Sequence, residues 1–225
     1  DVIVDLNLKG RNILVVGAGT EGTKRIKSLS KHDCKIIIIS ETVNESLSEI
    51  EGKNNPIILI RRKIEDPNIL DEFNDIFIVF ASTNDPFLNK KIIEKAKEKG
   101  ILSYSIDDAA ASDFFFTSII NIDEIIQVAI STSGKSPLMS KIIRDRIENA
   151  IKNIIGKKDT DNIKIQEFAR EHVRNYFENQ HERREFLYSI IDDQEIQELL
   201  AKNNIDKVKE RIINTLDKWE DNKSR

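Results

Sequence analysis

Short runs of β-branched and other apolar residues alternate with longer amphipathic stretches over the first hundred residues of the chain. This alternation is typical of βαβ units, in which buried parallel strands are covered by helices. The helices are predicted at Glu21–Lys31 and Pro86–Lys99, and Gly100 ends the second of them. Five apolar runs are predicted as strands: Asn12–Val16, Lys35–Ser40, Ile57–Ile60, Ile76–Ala81 and Leu102–Ser105. The pattern therefore predicts an α/β fold with a doubly wound, Rossmann-like parallel sheet.

The pattern changes after residue 113. Two strand-like runs, Phe114–Asn121 and Ile125–Ser131, flank the short break Ile122–Glu124, which predicts an antiparallel hairpin. Because the hairpin is too apolar to stand alone in water, we expect it to pack on a neighbour or on a second copy of the chain. A helix is predicted to follow at Leu138–Ile155.

The last third of the chain is dense in charged residues and carries apolar residues at three- and four-residue spacing. The segments EFAREHVRNYFE and IDKVKERIINTLDKW show this spacing, which is typical of helices that pack through one face. The predicted organisation is thus a dinucleotide-binding domain over residues 1–113, a dimerisation hairpin with its connecting helix over residues 114–150, and a helical domain over residues 151–225.

Composition narrows the class of protein. The chain has 225 residues, a formal net charge of -4 and a pI near 5.6, which does not favour binding to nucleic acid or to an anionic membrane. One cysteine, Cys34, excludes an internal disulfide, and the three histidines lack the spacing of a metal site. No apolar run approaches the length of a membrane span. We expect a cytoplasmic protein without a metal site.

The glycine-rich segment that follows the first strand carries the strongest chemical signal. A Gly-x-Gly-x-x-Gly pattern between a strand and a helix is the context in which a turn and a helix N-terminus bind the pyrophosphate of a dinucleotide. The residues of this turn are Gly17, Ala18, Gly19, Thr20, Glu21 and Gly22. The alternative is a fold that keeps the motif with an empty cleft.

Glu41 supports the dinucleotide hypothesis, because it follows the second predicted strand nineteen residues after Gly22. A carboxylate at this position accepts hydrogen bonds from the adenosine ribose hydroxyls and repels a 2′-phosphate. The predicted cofactor is therefore NAD.

Polar residues follow the fourth strand, at the edge where open α/β sheets bind ligands. The residues placed at this edge are Ser82, Thr83, Asn84 and Asp85. The same residue types, with Pro86, are also those that cap helices, and both roles are compatible with the sequence.

Two further segments carry polar candidate residues, and the first of them lies at the same edge of the predicted sheet. Asp107 and Asp108 follow the fifth strand, where an acidic residue acts in proton transfer or simply belongs to a loop. A hydroxyl-rich segment between the hairpin and the next helix can offer N–H, O–H and ammonium donors to anionic groups, or serve as an ordinary turn. Its residues are Ser131, Thr132, Ser133, Gly134, Lys135 and Ser136.

Four stretches taken in order give a family resemblance. LNLKGRNILVVGAGTEGTKRI, ASTNDPFLNKKI, YSIDDAAASDFFFTSII and VAISTSGKSPLMSKIIRDRIE resemble the siroheme synthase dehydrogenase family, which contains precorrin-2 dehydrogenases and bifunctional dehydrogenase/ferrochelatases. The resemblance covers about residues 6 to 150, and the Ser-Gly-Lys-Ser-Pro segment after the hairpin is its most specific part.

The resemblance implies NAD-dependent oxidation of precorrin-2 to sirohydrochlorin, with insertion of Fe²⁺ or Co²⁺ in bifunctional members. It also implies that the stretch Ala81, Ser82, Thr83 and Asn84 lines the cofactor site. Asp107 matches the family aspartate implicated in dehydrogenation and in metal insertion, and the hairpin matches the family's dimerisation region, which implies a homodimer. The alternative of a different class is a non-catalytic, nucleotide-sensing Rossmann module. That alternative explains the glycines and Glu41 but not Asp107 together with Ser131–Ser136.

Overall fold

A parallel five-stranded sheet forms the first part of the molecule, for which a computed structural model describes residues 2–47 and 56–221. The strands are β1 (Asn12–Ala18), β2 (Lys35–Val43), β3 (Ile57–Arg61), β4 (Ile76–Ala81) and β5 (Leu102–Ser105). Their order is β3-β2-β1-β4-β5, and every pair is parallel. Helices α1 (Thr20–Leu29) and α2 (Pro86–Glu98) connect them, together with short 3-10 helices at Glu45–Leu47 and Pro67–Glu72. This confirms the α/β, Rossmann-like prediction.

Apolar side chains cover both faces of the sheet, which is why its strands are continuous hydrophobic runs. Leu14 and Val16 face one core layer with Ile92 of α2, whereas Ile13 and Val15 of the same strand face the other layer. Because both faces of β1 and β4 are covered in this way, the ends of these strands are the parts that remain accessible at the edge of the sheet. The carboxyl ends of β1, β4 and β5 therefore stand side by side at one edge.

The bounds of β4 and β5 agree with the sequence prediction, but β1 and β2 are longer than predicted. β1 continues to Ala18 and β2 continues to Val43, because Ala18 pairs with Val43 after a register shift that follows Val16. The added pairing brings part of the glycine turn into the sheet. Glu41 therefore lies within the last part of β2 rather than after it.

The segment Phe114–Thr117 was predicted as the start of a hairpin strand, and this part of the prediction is wrong. The hairpin consists of β6 (Ser118–Ile122) and β7 (Ile126–Ile130). Phe114 and Phe116 instead pack with Phe80 and Tyr104 of the sheet, with ring centres 5.4 to 6.0 Å apart. The guanidinium of Arg25 lies 4.1 Å from the ring centre of Phe116. These tertiary contacts outweigh the strand propensity of the phenylalanines.

The described chain divides into two compact units. The first contains the residues up to Thr117 and the segment Ser131–Ser136, and the second contains the hairpin Ser118–Ile130 and the residues from Pro137 onward. In the second unit, α3 (Pro137–Ile151) packs on the hairpin, and the Ser140 hydroxyl donates to the Ile130 carbonyl at 3.0 Å. The predicted helix over Leu138–Ile155 is thus four residues too long at its C-terminal end.

Four further helices complete the second unit: α4 (Lys157–Tyr176), α5 (Gln180–Asp192), α6 (Gln194–Ala201) and α7 (Ile205–Asp221). They bury a shared core that includes Phe186, Val208 and Ile212. This core confirms the helical faces predicted from the three- and four-residue spacing. Within residues 2–47 and 56–221, no helix is long and apolar enough to cross a membrane.

Asp193 lies at the junction of α5 and α6 and links this junction to Arg211 of α7. Its carboxylate caps α6 by accepting the N–H groups of Glu195 and Ile196 at 2.9 and 3.1 Å. It also accepts a hydrogen bond from Nε of Arg211 at 2.9 Å and forms an ion pair with Nη2 of Arg211 at 2.8 Å. Partial burial acts to raise the pKa of Asp193, but the hydrogen bonds from Arg211 and from the two backbone N–H groups outweigh it. The pKa of Asp193 is lowered from its ordinary value of 3.8.

Candidate active site

The glycine turn after β1 is packed tightly against the end of β4. Gly17 has a φ of +96°, and a Cβ atom added to it would lie 2.6 Å from the carbonyl carbon of Ser82 and 2.8 Å from the Thr83 nitrogen. A Cβ atom on Gly22 would lie 2.8 Å from the Ser82 hydroxyl oxygen and closer still to the Gly17 carbonyl oxygen. Both positions require glycine because a side chain would collide with backbone.

Gly19 differs from the other two glycines of the turn. It caps α1 without a side-chain hydrogen bond, its φ is -67°, and a Cβ atom added to it would meet no atom of the described residues within 4 Å. The fold itself therefore does not need glycine at this position. The open space lies at a helix N-terminus, where backbone N–H groups and the helix dipole favour an anion. These features fit the pyrophosphate of a dinucleotide, which approaches the backbone most closely where no side chain intervenes.

Two serine hydroxyls stabilise the turn through hydrogen bonds. The Ser82 hydroxyl donates to the Gly17 carbonyl at 2.7 Å, and the Ala18 N–H donates to the Ser40 hydroxyl oxygen at 3.0 Å. Ser40, Ser82 and Ala18 are all buried. Ser82 and Ala18, which were predicted to line the cofactor site, thus contribute to the shape of the turn. Ser40 was missed by the sequence analysis, because a serine in a buried strand gives no signal of its own.

The two remaining turn residues, Thr20 and Glu21, are exposed in the first turn of α1. The Glu21 carboxylate forms an ion pair with Lys24 one turn later. This pairing reduces the negative charge that Glu21 would otherwise place near an anion bound at the helix N-terminus.

Glu41 is exposed near the carboxyl end of β2. Lys63 is close enough to Glu41 for their charges to interact. The pKa of Lys63 is raised, mainly by its hydrogen bond to Glu65 and to a smaller extent by the charge of Glu41. Lys63 also forms an ion pair with Glu65 at 2.7 Å. The Glu41 carboxylate is therefore positioned on the solvent side of the strand with a basic residue nearby.

Asp107, the predicted catalytic residue, is held at the sheet edge by two hydrogen bonds. The Ser105 hydroxyl donates to its Oδ1 atom at 2.5 Å, and the side-chain amide of Asn89 donates to its Oδ2 atom at 3.1 Å. The same Asn89 side chain bonds to Thr83 at the end of β4. Asp107 and Thr83 were both predicted from the sequence, whereas Asn89, which joins them, was not.

The neighbouring polar residues have different roles. Asp108 accepts the N–H of Ala111 at 3.0 Å, so it stabilises the alanine-rich turn that follows β5. Asp85 caps α2 by accepting the N–H groups of Phe87 and Leu88 at 2.9 and 3.2 Å. Asn84 is exposed beside this cap. The stretch after β4 therefore combines a helix cap with residues that are open to the edge of the sheet.

The segment Ser131–Ser136 forms a turn in which Ser133 and Gly134 have φ values of +51° and +74°. The Thr132 hydroxyl oxygen accepts the Ser136 N–H at 3.1 Å, and the Ser131 hydroxyl oxygen accepts the Ser133 N–H at 3.1 Å. Lys135 is exposed. The segment clusters with the parallel-sheet unit, although β7 before it and α3 after it belong to the other unit.

Cys34 is buried, and burial raises the pKa of its thiol. Its Sγ atom lies 3.5 Å from the Leu29 carbonyl oxygen. A buried thiol with a raised pKa is a poor nucleophile, so Cys34 contributes to packing rather than to chemistry.

The parallel sheet, the glycine turn at its switch point and the carboxylate at the same edge define a nucleotide-binding domain of the Rossmann type. Residues 4–118, just over half of the chain, match the family model described as "Putative NAD(P)-binding", and residues 126–150 match the model for the "Sirohaem biosynthesis protein central" region. The chain belongs to the siroheme synthase N-terminal type family of NAD(P)-binding proteins.

Individual relatives support this assignment. The siroheme synthase of Buchnera aphidicola is 33% identical over 95% of this chain and 42% of its own length. The siroheme synthase of Baumannia cicadellinicola is 32% identical over 68% of this chain and 32% of its own length. The chain thus spans less than half the length of these relatives. The solved structure of SirC, a precorrin-2 dehydrogenase, shares the fold with a TM-score of 0.66 and 23% identity, and the match covers 97% of this chain and 100% of that one.

Proposed function

We propose that this protein oxidises precorrin-2 to sirohydrochlorin with NAD as hydride acceptor, in the route to siroheme. The observation that carries the proposal is the placement of Asp107, which is fixed by Ser105 and Asn89 at the same sheet edge as the glycine turn. The names of the relatives, siroheme synthases and a precorrin-2 dehydrogenase, indicate the same reaction.

The reaction removes two electrons and two hydrogens from the reduced macrocycle. NAD, when bound, supplies the acceptor for the hydride, and the second hydrogen leaves as a proton. Asp107 is suited to take that proton or to orient the macrocycle, because a carboxylate has about four acceptor positions and the two protein donors occupy only two of them. The chain's own contribution is thus a carboxylate held in a fixed orientation beside the cofactor site.

The cofactor is held, in this proposal, by the glycine turn and Glu41. Gly19 leaves space for the pyrophosphate at the N-terminus of α1, and Glu41 accepts from the ribose hydroxyls. The Thr83–Asn84 stretch, which follows the carboxyl end of β4, would line the nicotinamide end of the site. Glu41 also disfavours the additional phosphate of NADP.

Precorrin-2 is a polycarboxylate and should seek donors and positive charge despite the net charge of -4. We assign this role to the segment Ser131–Ser136, whose exposed Lys135 lies in a turn with two residues in the left-handed region. The N–H groups of Ser133, Lys135 and Ser136 are bonded within the segment, so the Lys135 ammonium is the donor that we assign to the substrate carboxylates.

The proposal includes a cytoplasmic location and a homodimer that forms through the region 114–150. Along the chain, this region follows the dinucleotide-binding domain and precedes the helical C-terminal domain. The apolar side chains Ile119 on β6 and Leu138 and Met139 on α3 are exposed by 47%, 69% and 42%. Large exposed apolar side chains on a two-stranded ribbon favour burial against a second copy.

The test is anaerobic incubation of the purified protein with precorrin-2, followed by absorption spectroscopy with and without NAD. We expect conversion to sirohydrochlorin only when NAD is present, and an equal appearance of NADH. Addition of Fe²⁺ or Co²⁺ to the product then shows whether the protein also accelerates metal insertion, relative to the same mixture without protein. NAD binding without any oxidation would contradict the proposal and favour a nucleotide-sensing module.

A further inference from the structure

Asn89 joins two loops of the candidate active site through one buried side chain. It belongs to α2, is fully buried, and makes four side-chain hydrogen bonds. Its Oδ1 atom accepts from the backbone N–H of Thr83 at 3.0 Å and from the Thr83 hydroxyl at 2.7 Å. Its Nδ2 atom donates to the Thr83 carbonyl at 3.1 Å and to Asp107 Oδ2 at 3.1 Å. Every donor and acceptor of the amide is therefore used by the loops after β4 and β5.

The orientation of this amide follows from chemistry. The backbone N–H of Thr83 can only donate, so the atom that faces it must be the oxygen of Asn89. The nitrogen then faces Asp107, and it can only donate. Asp107 Oδ2 is consequently an acceptor in this arrangement, and Ser105 supplies the matching donor to Oδ1.

The contacts continue from Asp107 to the glycine turn. Asn89 holds Thr83, and the preceding residue, Ser82, donates to the Gly17 carbonyl at 2.7 Å. Thus a continuous series of hydrogen bonds and one peptide bond connects the carboxylate to the cofactor turn. A helix that packs through Leu88, Ile92 and Ile93 supplies a rigid support for this connection.

We propose that Asn89 is a positioning residue that fixes the Asp107 carboxylate relative to the cofactor turn. The inference rests on the proposed function, because it assigns Asn89 to the oxidation of precorrin-2. Asn89 itself touches neither substrate nor cofactor in this proposal. It acts through Asp107 and Thr83, and its removal lowers turnover because a misplaced reacting group loses rate steeply with distance.

The main variant is Asn89→Asp, which has nearly the same shape and separates the two ends of the amide. The variant keeps an acceptor for the Thr83 N–H and hydroxyl but replaces the donor that faces Asp107 and the Thr83 carbonyl with an oxygen. We expect kcat to fall about 10- to 100-fold while the Kd for NAD changes by less than about threefold. The melting temperature of the ligand-free variant should fall as well, because two carboxylates then face each other in a buried site.

A second variant distinguishes positioning from structural support. In the exchange Asn89→Asp/Asp107→Asn, one carboxylate and one amide face each other again, with their positions reversed. We expect the melting temperature of the ligand-free protein to recover part of the loss, because the Thr83 carbonyl still faces an oxygen, and turnover to stay as low as in Asp107→Asn alone. Asn162→Asp serves as a matched control, since it makes the same change to a hydrogen-bonded amide of α4 in the other unit. Its turnover should equal that of the wild type.

The outcomes separate this inference from the proposed function. A wild-type protein that binds NAD without oxidising precorrin-2 overturns the proposed function and, with it, the role of Asn89. An active wild type with an equally active Asn89→Asp variant overturns only the inference. So does a loss of kcat that is matched by an equal loss of NAD affinity, because this result assigns Asn89 a general structural role. Recovery of turnover in the exchange variant overturns the role of Asp107 as the reacting carboxylate and, with it, the positioning role of Asn89.

Discussion

Gly19 and Gly22 lie three residues apart in the same turn, yet the structure assigns them opposite requirements for glycine. A Cβ atom at Gly19 enters open space, whereas one at Gly22 meets the Gly17 carbonyl group and the Ser82 hydroxyl. Gly19→Val should therefore impair cofactor binding with little effect on the fold. Gly22→Ala should impair the fold even when no cofactor is present.

The expected loss of stability in Gly22→Ala can be worked out from this geometry. Overpacking a rigid site typically costs about 1–3 kcal/mol, and the upper end applies because the nearest obstacle is backbone. Replacing glycine by alanine in a helix returns about 1 kcal/mol. The net loss of about 2 kcal/mol corresponds to a melting temperature lower by about 4–8 °C for a chain of this size.

Gly19→Val should weaken cofactor binding more than it lowers stability, which is the reverse of the expectation for Gly22→Ala. The backbone conformation at Gly19 is open to any residue, and the poorer helix cap costs about 1 kcal/mol, or about 2–4 °C. The valine side chain would occupy the space assigned to the pyrophosphate. Loss of one hydrogen bond to a charged group costs about 1.5–3 kcal/mol, which weakens NAD binding by roughly one to two orders of magnitude.

The assays are thermal unfolding of the ligand-free variants and titration calorimetry with NAD. A folded Gly19→Val variant with wild-type affinity would remove the glycine turn from the cofactor site. A ligand-free Gly22→Ala variant as stable as the wild type would show that the turn is not packed against Ser82 and Gly17 as described.

Four further predictions concern the site, the assembly and the helical unit. Asp107→Ala should lose about two to four orders of magnitude in precorrin-2 oxidation with NAD affinity retained, while Asp108→Ala keeps most activity; the reverse pattern in steady-state assays would place the reacting carboxylate one residue later. NADP should bind at least about tenfold more weakly than NAD because of Glu41, which calorimetry checks, and equal affinities would contradict the role of this carboxylate. Light scattering at micromolar concentration should give a dimer formed through residues 114–131, and a monomer would refute it. Asp193→Ala should lower the free energy of unfolding, measured in urea, by about 0.5–2 kcal/mol at pH 7. Because folding lowers the pKa of Asp193, this difference should be present above pH 3.8 and shrink as the pH falls further. A difference independent of pH would count against the carboxylate's role.

The sequence alone determined the features that depend on local order. Strands β4 and β5 and the strand–glycine–helix arrangement follow from short apolar runs and from the steric freedom of glycine, which any local window of the chain reveals. The position of Asp107 after β5 follows in the same way, since the carboxyl ends of parallel strands share one edge. The helical faces of the C-terminal residues were likewise visible as a period in the sequence.

The tertiary structure decided what each of these residues contacts. Phe114 and Phe116 have the propensity of strand residues but pack on Phe80 and Tyr104, because burying aromatic rings contributes more than extending a hairpin. The pairing of Ala18 with Val43 lengthens β1 and β2. This pairing could not be predicted locally, because each residue depends on a partner that is distant in sequence.

The same distinction applies to the site. Asn89 lies in an amphipathic helix, where its spacing indicates a buried face and nothing more, and Ser40 lies in an apolar strand. Their importance arises from partners 18 and 22 residues away along the chain, Asp107 and Ala18. A buried polar side chain must find such partners, because an unsatisfied group costs free energy in the interior. The sequence thus determined which groups are available for chemistry at the sheet edge, and only the folded chain decided how they are held there, since hydrogen bonds between distant residues form only when the sheet and its helices bring them together.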